Sequence, residues 1–304
     1  MAKFIRLCKV TLPKQLAVII TITGSLARRL APARHASSKK GDNGMVLVAG
    51  GSRFYHGAPV LTSMAALRSG TDLVYTAVPR SIITAVRSFS PAIIALPLPD
   101  DKLTVGSANR LAAMLPKRAD AAAIGMGMSI ADPDAIAVLV KKLKEAGTRL
   151  LLDASALIPE ILPEISGTGA VVTPHAGEYK RLFQREAGKT EKERISNVQS
   201  VAKEYGITVL LKGAVDVISD GRRVGVNKTH NSAMTVGGTG DMLSGLVAGL
   251  MAKKMESFEA ALLAVYYNGL AGNLAFKRVG LHMAATDLLE SLPAAMKPFD
   301  KIVK

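Results

Sequence analysis

The feature that most constrains this fold is a rhythm. Between residues 45 and 212, short runs of β-branched and aliphatic residues alternate with longer alanine-rich stretches whose apolar side chains recur every three or four positions. Strands that pair in parallel need a long crossover between them, and a helix is the usual one. The rhythm therefore predicts βα units and a mostly parallel sheet with helices on both faces. Strands are expected at residues 45–49, 73–78, 92–96, 122–124, 150–153, 170–173 and 208–212, and helices over 59–69, 109–115, 133–146 and 192–205. After Lys212 the rhythm changes. Residues 215–219 and 222–226 flank Asp220-Gly221 and read as a hairpin that ends the sheet on antiparallel strands. Three helices, near 240–253, 258–276 and 284–296, then close the chain.

No Pro/Ser linker, charge block or internal repeat divides residues 45 and 298, so one domain, 41–304, is expected behind a basic N-terminal extension, 1–40. That extension carries Lys3, Arg6, Lys9, Lys14, Arg28, Arg29, Arg34, Lys39 and Lys40, with no acid before Asp42. Its apolar run, 16–22, is far shorter than the roughly 20 residues a membrane span needs. A transmembrane segment is not expected. Organellar transit peptides and signal peptides share parts of this composition, but no small-x-small cleavage site follows Ile22, and the simpler reading is a surface-packed strand and helix. The single cysteine, Cys8, has no partner for a disulfide and suits a reducing compartment, the cytoplasm. Trp is absent and aromatics make up 4%, so the core must come mainly from Ala, Val, Leu, Ile and Met. A net charge of +15 attracts polyanions. Without an aromatic-interleaved basic stripe or zinc-finger spacing, it reads as solvated surface plus an anionic substrate rather than a nucleic-acid interface.

Ligands of open parallel sheets bind beyond the carboxyl ends of the strands. Small and polar residues gather in those loops: Gly50-Gly51-Ser52, Gly125-Met126-Gly127, Asp153-Ala154-Ser155, Thr173-Pro174-His175 and Lys212-Gly213. The sharpest feature is Gly237-Gly238-Thr239-Gly240-Asp241, which runs straight into an apolar helix. Glycines let backbone N–H groups approach a phosphate, and the helix dipole favours negative charge there. The same dipole predicts that Asp241 stays ionised, able to take a proton from a substrate hydroxyl; a plain helix cap is the structural alternative. His175 and Asp153 stand at strand ends, where either is a ligand contact or a cap, and Asp153 is also a candidate contact for magnesium. No set of residues has zinc spacing, and neither a Gly-x-Ser-x-Gly elbow nor a Walker lysine turn is present.

Taken together, residues 38–293 resemble the ADP- or ATP-dependent NAD(P)H-hydrate dehydratase family, a branch of the ribokinase-like superfamily. The resemblance rests on Lys40-Gly41-Asp42, Val48-Ala49-Gly50-Gly51-Ser52, Gly57-Ala58-Pro59 and Arg68-Ser69-Gly70. It continues through Leu152-Asp153-Ala154-Ser155-Ala156-Leu157, Thr173-Pro174-His175-Ala176-Gly177-Glu178, Leu211-Lys212-Gly213-Ala214 and the glycine turn before Asp241. It implies a three-layer α/β/α sandwich and the ATP-driven or ADP-driven dehydration of (S)-NAD(P)H hydrate, with ADP the expected donor and Mg2+ accompanying it. Asp241 would be the catalytic base. Ala58, Gly125, Gly127, His175 and Asp241 would contact the hydrate. Lys212, Gly213, Ala214, Val215, Asp216, Gly238, Thr239 and Gly240 would contact the nucleotide, with no metal ligand assigned. A homo-oligomer, a tetramer, is also implied.

The sequence departs from the family in three places. Gly125-Met126-Gly127-Met128-Ser129 stands for Gly-Pro-Gly-Leu-Gly, Asp153-Ala154-Ser155 for Asp-Ala-Asp, and His175-Ala176-Gly177-Glu178 for His-Pro-Gly-Glu. Together they remove a carboxylate and some loop stiffness on the substrate side. Two other functions share parts of the pattern. A ribokinase-like kinase acting on a vitamin precursor alcohol would leave a stable phosphate ester, and a basic nucleic-acid-binding protein would bind polyanions in a salt-sensitive way that survives Asp241→Asn.

Overall fold

In the computed structural model, which describes residues 19–115 and 118–304, the strands are β1 (Ile19–Thr21), β2 (Arg34–His35), β3 (Met45–Ala49), β4 (Leu73–Pro79), β5 (Ile94–Leu98), β6 (Ala121–Ile124), β7 (Arg149–Leu152), β8 (Val171–Val172), β9 (Thr208–Leu211), β10 (Asp216–Ser219), β11 (Val224–Asn227) and β12 (Ile302–Val303). The helices are α1 (Gly24–Leu30), α2 (Gly57–Arg68), α3 (Ile83–Phe89), α4 (Val105–Met114), α5 (Pro133–Glu145), α6 (Leu162–Ile165), α7 (Ala176–Phe183), α8 (Glu191–Tyr205), α9 (Thr239–Ala252), α10 (Ser257–Val279) and α11 (Ala285–Met296). Cys8, Lys3, Arg6, Lys9, Lys14 and the start of the apolar run 16–22 lie outside the described residues.

Ten strands form one sheet in the order β1-β11-β10-β9-β8-β7-β6-β3-β4-β5. Its pairs are parallel except those of β10, which runs against both β9 and β11. The hairpin lies one strand in from the edge, because β1 pairs in parallel outside β11. Residues 19–31 therefore join the same packed unit, with Ile22, Ala27 and Ala31 in its core. A separate two-stranded pairing joins β12 to β2.

Alternation along the strands builds a core on each face. Val46, Val48, Ala121, Ala123, Leu151, Val171 and Leu210 pack under α9, α10, α2 and α11. Met45, Leu47, Ala49, Ala122, Ile124, Leu150, Leu152 and Val209 pack under α4, α5, α7 and α8. Burial on both faces explains why the central strands read as continuous apolar runs. This is the three-layer α/β/α sandwich expected.

The differences from the expected elements have local causes. The fifth strand starts at Ile94 rather than 92, because a turn at Ser90 holds the next residues: Ala92 N–H donates to Ser90 Oγ at 3.2 Å and Ile93 N–H to its carbonyl at 3.4 Å. Helix α4 starts at Val105 rather than 109, because Thr104 and Ser107 cap it reciprocally. Serine at the third helical position hides this cap from a search for Glu or Gln. Helices α3 and α6 are additions to the expected set.

Between β3 and β6 the connectivity reverses, since the chain winds outward through β4 and β5 and then returns to β6 on the other side. Such a switch point leaves a crevice beyond the strand ends. The β3 and β6 loops meet across it. Gly51 N–H donates to the Met126 carbonyl at 2.8 Å, and Gly125 N–H to the Ala49 carbonyl at 3.0 Å.

Candidate active site

Helix α9 enters the crevice from the glycine turn. Gly238 caps it at φ +97°, where a Cβ would stand 2.6 Å from Leu61 Cδ1 and 2.8 Å from the Ala285 Cβ, so conformation and space both demand glycine. The first backbone bond of α9 runs from Met242 N–H to the Gly238 carbonyl at 3.1 Å. The N–H groups of Thr239, Gly240 and Asp241 precede that ladder and point out of the helix end, the arrangement that receives a phosphate. The Thr239 hydroxyl is turned back to the Met234 and Val236 carbonyls at 3.0 and 3.2 Å, which pins the turn and leaves only its backbone for a ligand.

The position of α9 is fixed by its close approach to α2. A Cβ at Gly245 would collide with the Thr62 carbonyl, and one at Gly249 with the Ser69 hydroxyl, so two glycines a turn apart let the backbones touch. Above them the Thr62 hydroxyl lies 3.0 Å from both the Asp241 and Ala58 carbonyl oxygens, tying the glycine turn before α9 to the first turn of α2.

Beside Asp241 lies a buried charge cluster. Asp153, at the end of β7, accepts from Lys212 Nζ and Ala154 N–H on Oδ1, both at 2.9 Å, and from the Ser244 hydroxyl on Oδ2 at 2.7 Å. Lys212, at the end of β9, also lies 3.7 Å from Glu178 Oε2. Burial opposes the lysine's charge, but the Asp153 and Glu178 carboxylates outweigh it and hold the ammonium above its ordinary range. The residue after Asp153, Ala154, is left-handed at φ +51°. Arg181 braces this unfavourable turn by donating to the Ala154 and Leu157 carbonyls at 2.6 and 2.8 Å.

Burial, followed by the neighbouring Asp153 carboxylate, pushes the Asp241 carboxyl up to about 7; Glu178 adds to the rise and the Lys212 ammonium opposes it. This overturns the expectation that the helix dipole alone keeps Asp241 ionised. Desolvation and two nearby carboxylates outweigh a dipole that acts within one turn. The result is a base poised near neutrality.

His175 caps α7. Its Nδ1 accepts from Gly177 N–H at 3.0 Å and Glu178 N–H at 3.3 Å, while Glu178 Oε2 accepts from His175 N–H at 2.9 Å. Accepting at Nδ1 leaves the ring proton on Nε2, and the ring stands exposed at the rim. The same caps hold Glu178 toward Lys212, so the structural reading of His175 is realised, with its Nε2 on the exposed ring 3.5 Å from Glu178 Oε1.

On the opposite rim Ala58 and Gly127 meet. Gly127 has φ +63°, and a Cβ there would lie 3.1 Å from the Ala58 Cβ and 2.8 Å from the Tyr55 Cβ. Gly125 sits deeper at φ +115°, where any side chain would strike the Asp153 carbonyl, so its contribution is to let β6 and β7 end side by side.

The loop after β9 is held from below. Arg194 donates to the Lys212 and Val215 carbonyls at 3.1 and 3.3 Å, and a Cβ at Gly213 would press on its guanidinium at 2.5 Å. Asp216 accepts from Gly213 N–H and the Asn227 amide, both at 3.1 Å, and burial raises its pKa. Gly213 and Ala214 are exposed at the loop tip. Lys212 and Asp216 thus turn inward, and the loop offers its backbone at Gly213, Ala214 and Val215.

Sequence reasoning missed Ser244, Thr62 and Arg194, and named Glu178 only within a motif. Ser244 carries a visible signal, as the single polar side chain between Met242 and Ala252, one turn after Asp241. Two cavities, of about 540 Å3 beside Tyr266 and Phe299 and about 460 Å3 beside His35 and Lys253, lie elsewhere. Neither borders the glycine turn at the start of α9 or the charge cluster beside Asp241. Among the described residues no three His, Cys, Asp or Glu side chains are grouped to hold a metal ion, and no helix is long and apolar enough to cross a membrane.

Residues 46–294 match the family model described as NAD(P)H-hydrate dehydratase. The chain is 53% identical over 283 residues to the ADP-dependent (S)-NAD(P)H-hydrate dehydratase of Nitrosopumilus maritimus, covering 93% of this chain and 99% of that protein. It is 45% identical to the bifunctional NAD(P)H-hydrate repair enzyme Nnr of Pyrobaculum aerophilum, across 88% of this chain and 53% of that protein. Among solved structures, the ADP/ATP-dependent NAD(P)H-hydrate dehydratase from Bacillus subtilis, co-crystallised with ATP/Mg2+, is similar with a TM-score of 0.80 at 25% identity, covering 93% of this chain and 99% of that one. Hydroxyethylthiazole kinase from Pyrococcus horikoshii OT3 shares the fold at 18% identity, with a TM-score of 0.61 over 90% of this chain and 94% of that one.

Proposed function

The chain belongs to the NAD(P)H-hydrate dehydratase family, and on that premise we propose that it restores NADH or NADPH from the (S) hydrate at the expense of ADP. The observation that carries the reading is Asp241 itself, a carboxyl pushed up to about 7 in the first turn of a helix whose free N–H groups form a phosphate site. It is a base and an anion cradle in one place.

The residues divide the chemistry between them. The backbone N–H groups of Gly238, Thr239 and Gly240 receive the terminal phosphate, and the exposed backbone of Gly213, Ala214 and Val215 borders the nucleotide. Ala58, Gly127 and His175 contact the hydrated ring, with Gly125 supporting them. Asp241 takes the proton from the ring hydroxyl as its oxygen attacks the terminal phosphorus of ADP and releases AMP. The resulting ester then loses inorganic phosphate as the ring nitrogen's lone pair enters the ring, and departure of the proton from the adjacent carbon restores the double bond. The dehydrated nucleotide is the product.

Magnesium fits this site as a nucleotide-borne ion, because Mg2+ commonly takes most of its ligands from phosphates and water with one or two carboxylates. When bound it would neutralise phosphate charge; Asp241 and Glu178 are the carboxylates on hand. ATP as an alternative donor to ADP, a cytoplasmic location and a homotetramer complete the reading. Leu281 and Ile302, 72% and 79% exposed, offer apolar surface for assembly.

Phosphorus NMR of the reaction mixture tests the activity. The proposal expects AMP and inorganic phosphate in equal amounts with reduced nicotinamide. A phosphate ester that persists would show a kinase that stops after transfer.

A further inference from the structure

The rim of the crevice carries an exposed aromatic side chain that the chemistry above leaves without a role. Tyr55 is 64% exposed in a chain with no Trp and only 6 Tyr and 7 Phe. It stands there in a fixed turn, not on a loose loop, since Tyr55 N–H donates to the Ser52 carbonyl at 3.0 Å and Ser52 N–H donates back at 3.4 Å. Its main chain and Cβ press against Gly127, where an added Cβ would lie 2.8 Å from the Tyr55 Cβ and 3.1 Å from its carbonyl. Next to it His56 stacks on Phe89 with ring centroids 5.9 Å apart, so the rim is aromatic beyond Tyr55 as well.

We propose that Tyr55 is a specificity residue for the dehydratase reaction, its ring lying against the pyridine ring of the hydrated nucleotide; this rests on the function proposed above. The chain of contacts sets the location. Thr62 bridges the Asp241 and Ala58 carbonyls, Ala58 lies one helical turn earlier, about 6 Å along α2, and Gly127 joins Ala58 to Tyr55. Tyr55 therefore stands beside the Ala58–Gly127 contact, the rim that the reading above gives to the hydrated ring. An exposed phenol is a suitable wall there, because ring-on-ring contact gains affinity at little entropic cost and its hydroxyl can remain in water.

The test compares Tyr55→Ala, Tyr55→Leu and Tyr55→Phe in the full chain, using hydrated NADH, its mononucleotide lacking the adenosine half, and binding of intact NADPH followed by calorimetry. Loss of the ring raises KM for both hydrates and weakens NADPH binding by about five- to a hundredfold. The KM for ADP and the circular dichroism spectrum stay unchanged, and Tyr55→Phe behaves as the parent. Unchanged KM and NADPH binding in Tyr55→Ala and Tyr55→Leu, with the parent fully active, overturns the proposal alone. A defect that disappears on the mononucleotide assigns the contact to adenine and overturns the pyridine assignment. A parent that dehydrates neither hydrate with either nucleotide removes the functional reading and this proposal together.

Discussion

Lys212 Nζ lies 2.9 Å from Asp153 Oδ1, joining the ends of β9 and β7 in an ion pair whose carboxylate is almost wholly buried. Removing one partner of such a pair leaves the other charged and dry. Lys212→Met is therefore expected to destabilise the protein by about 3–5 kcal/mol, read from denaturant unfolding. It also removes the cation that restrains Asp241, so the acid limb of the rate profile moves to higher pH.

The pH dependence of the parent follows from Asp241. Its carboxyl must be ionised to accept a proton, and burial places its pKa at about 7. The value of kcat/KM is expected to rise with pH and level off above an inflection near 7. An inflection near the ordinary aspartate range would mean that Asp241 is either solvated or not the base.

The same burial has a cost in stability. A carboxyl with a raised folded-state pKa stabilises the fold below its unfolded value and loses that contribution as pH rises through the folded value. For Asp241 the window runs from the ordinary 3.8 to about 7, worth up to ~4 kcal/mol. Asp241→Asn should accordingly be more stable than the parent at pH above about 8, with the gain shrinking as pH falls toward 4. Thermal unfolding at several pH values measures it.

Gly127→Ala tests the substrate rim. Its φ of +63° costs a side chain about 1–2 kcal/mol, and the added carbon presses on Tyr55 and Ala58. A raised KM for the hydrate with an unchanged KM for ADP is the expected outcome.

Much of the fold is legible in the order of the amino acids alone. The runs at β3, β6 and β7 announce a two-sided sheet because burial on both faces leaves no alternation to hide, and the glycine turn announces α9 because only glycine reaches φ +97° there at little cost. The charge on Asp241 is not legible in that way, because it depends on Asp153 and Glu178, which lie 88 and 63 positions earlier in the chain and are joined to it only by folding. Thr62 is hidden for the same reason, since its hydroxyl gains meaning only from the carbonyls it faces, whereas Ser244 shows in the sequence as a lone polar residue on an apolar helix but not as a partner of Asp153.

The most direct test follows the near-ultraviolet absorbance of reduced nicotinamide after hydrated NADH, ADP and Mg2+ are mixed with the parent protein and with Asp241→Asn. The account predicts a rise with the parent and a loss of at least about 100-fold in the variant. Equal rates in the two proteins would contradict it.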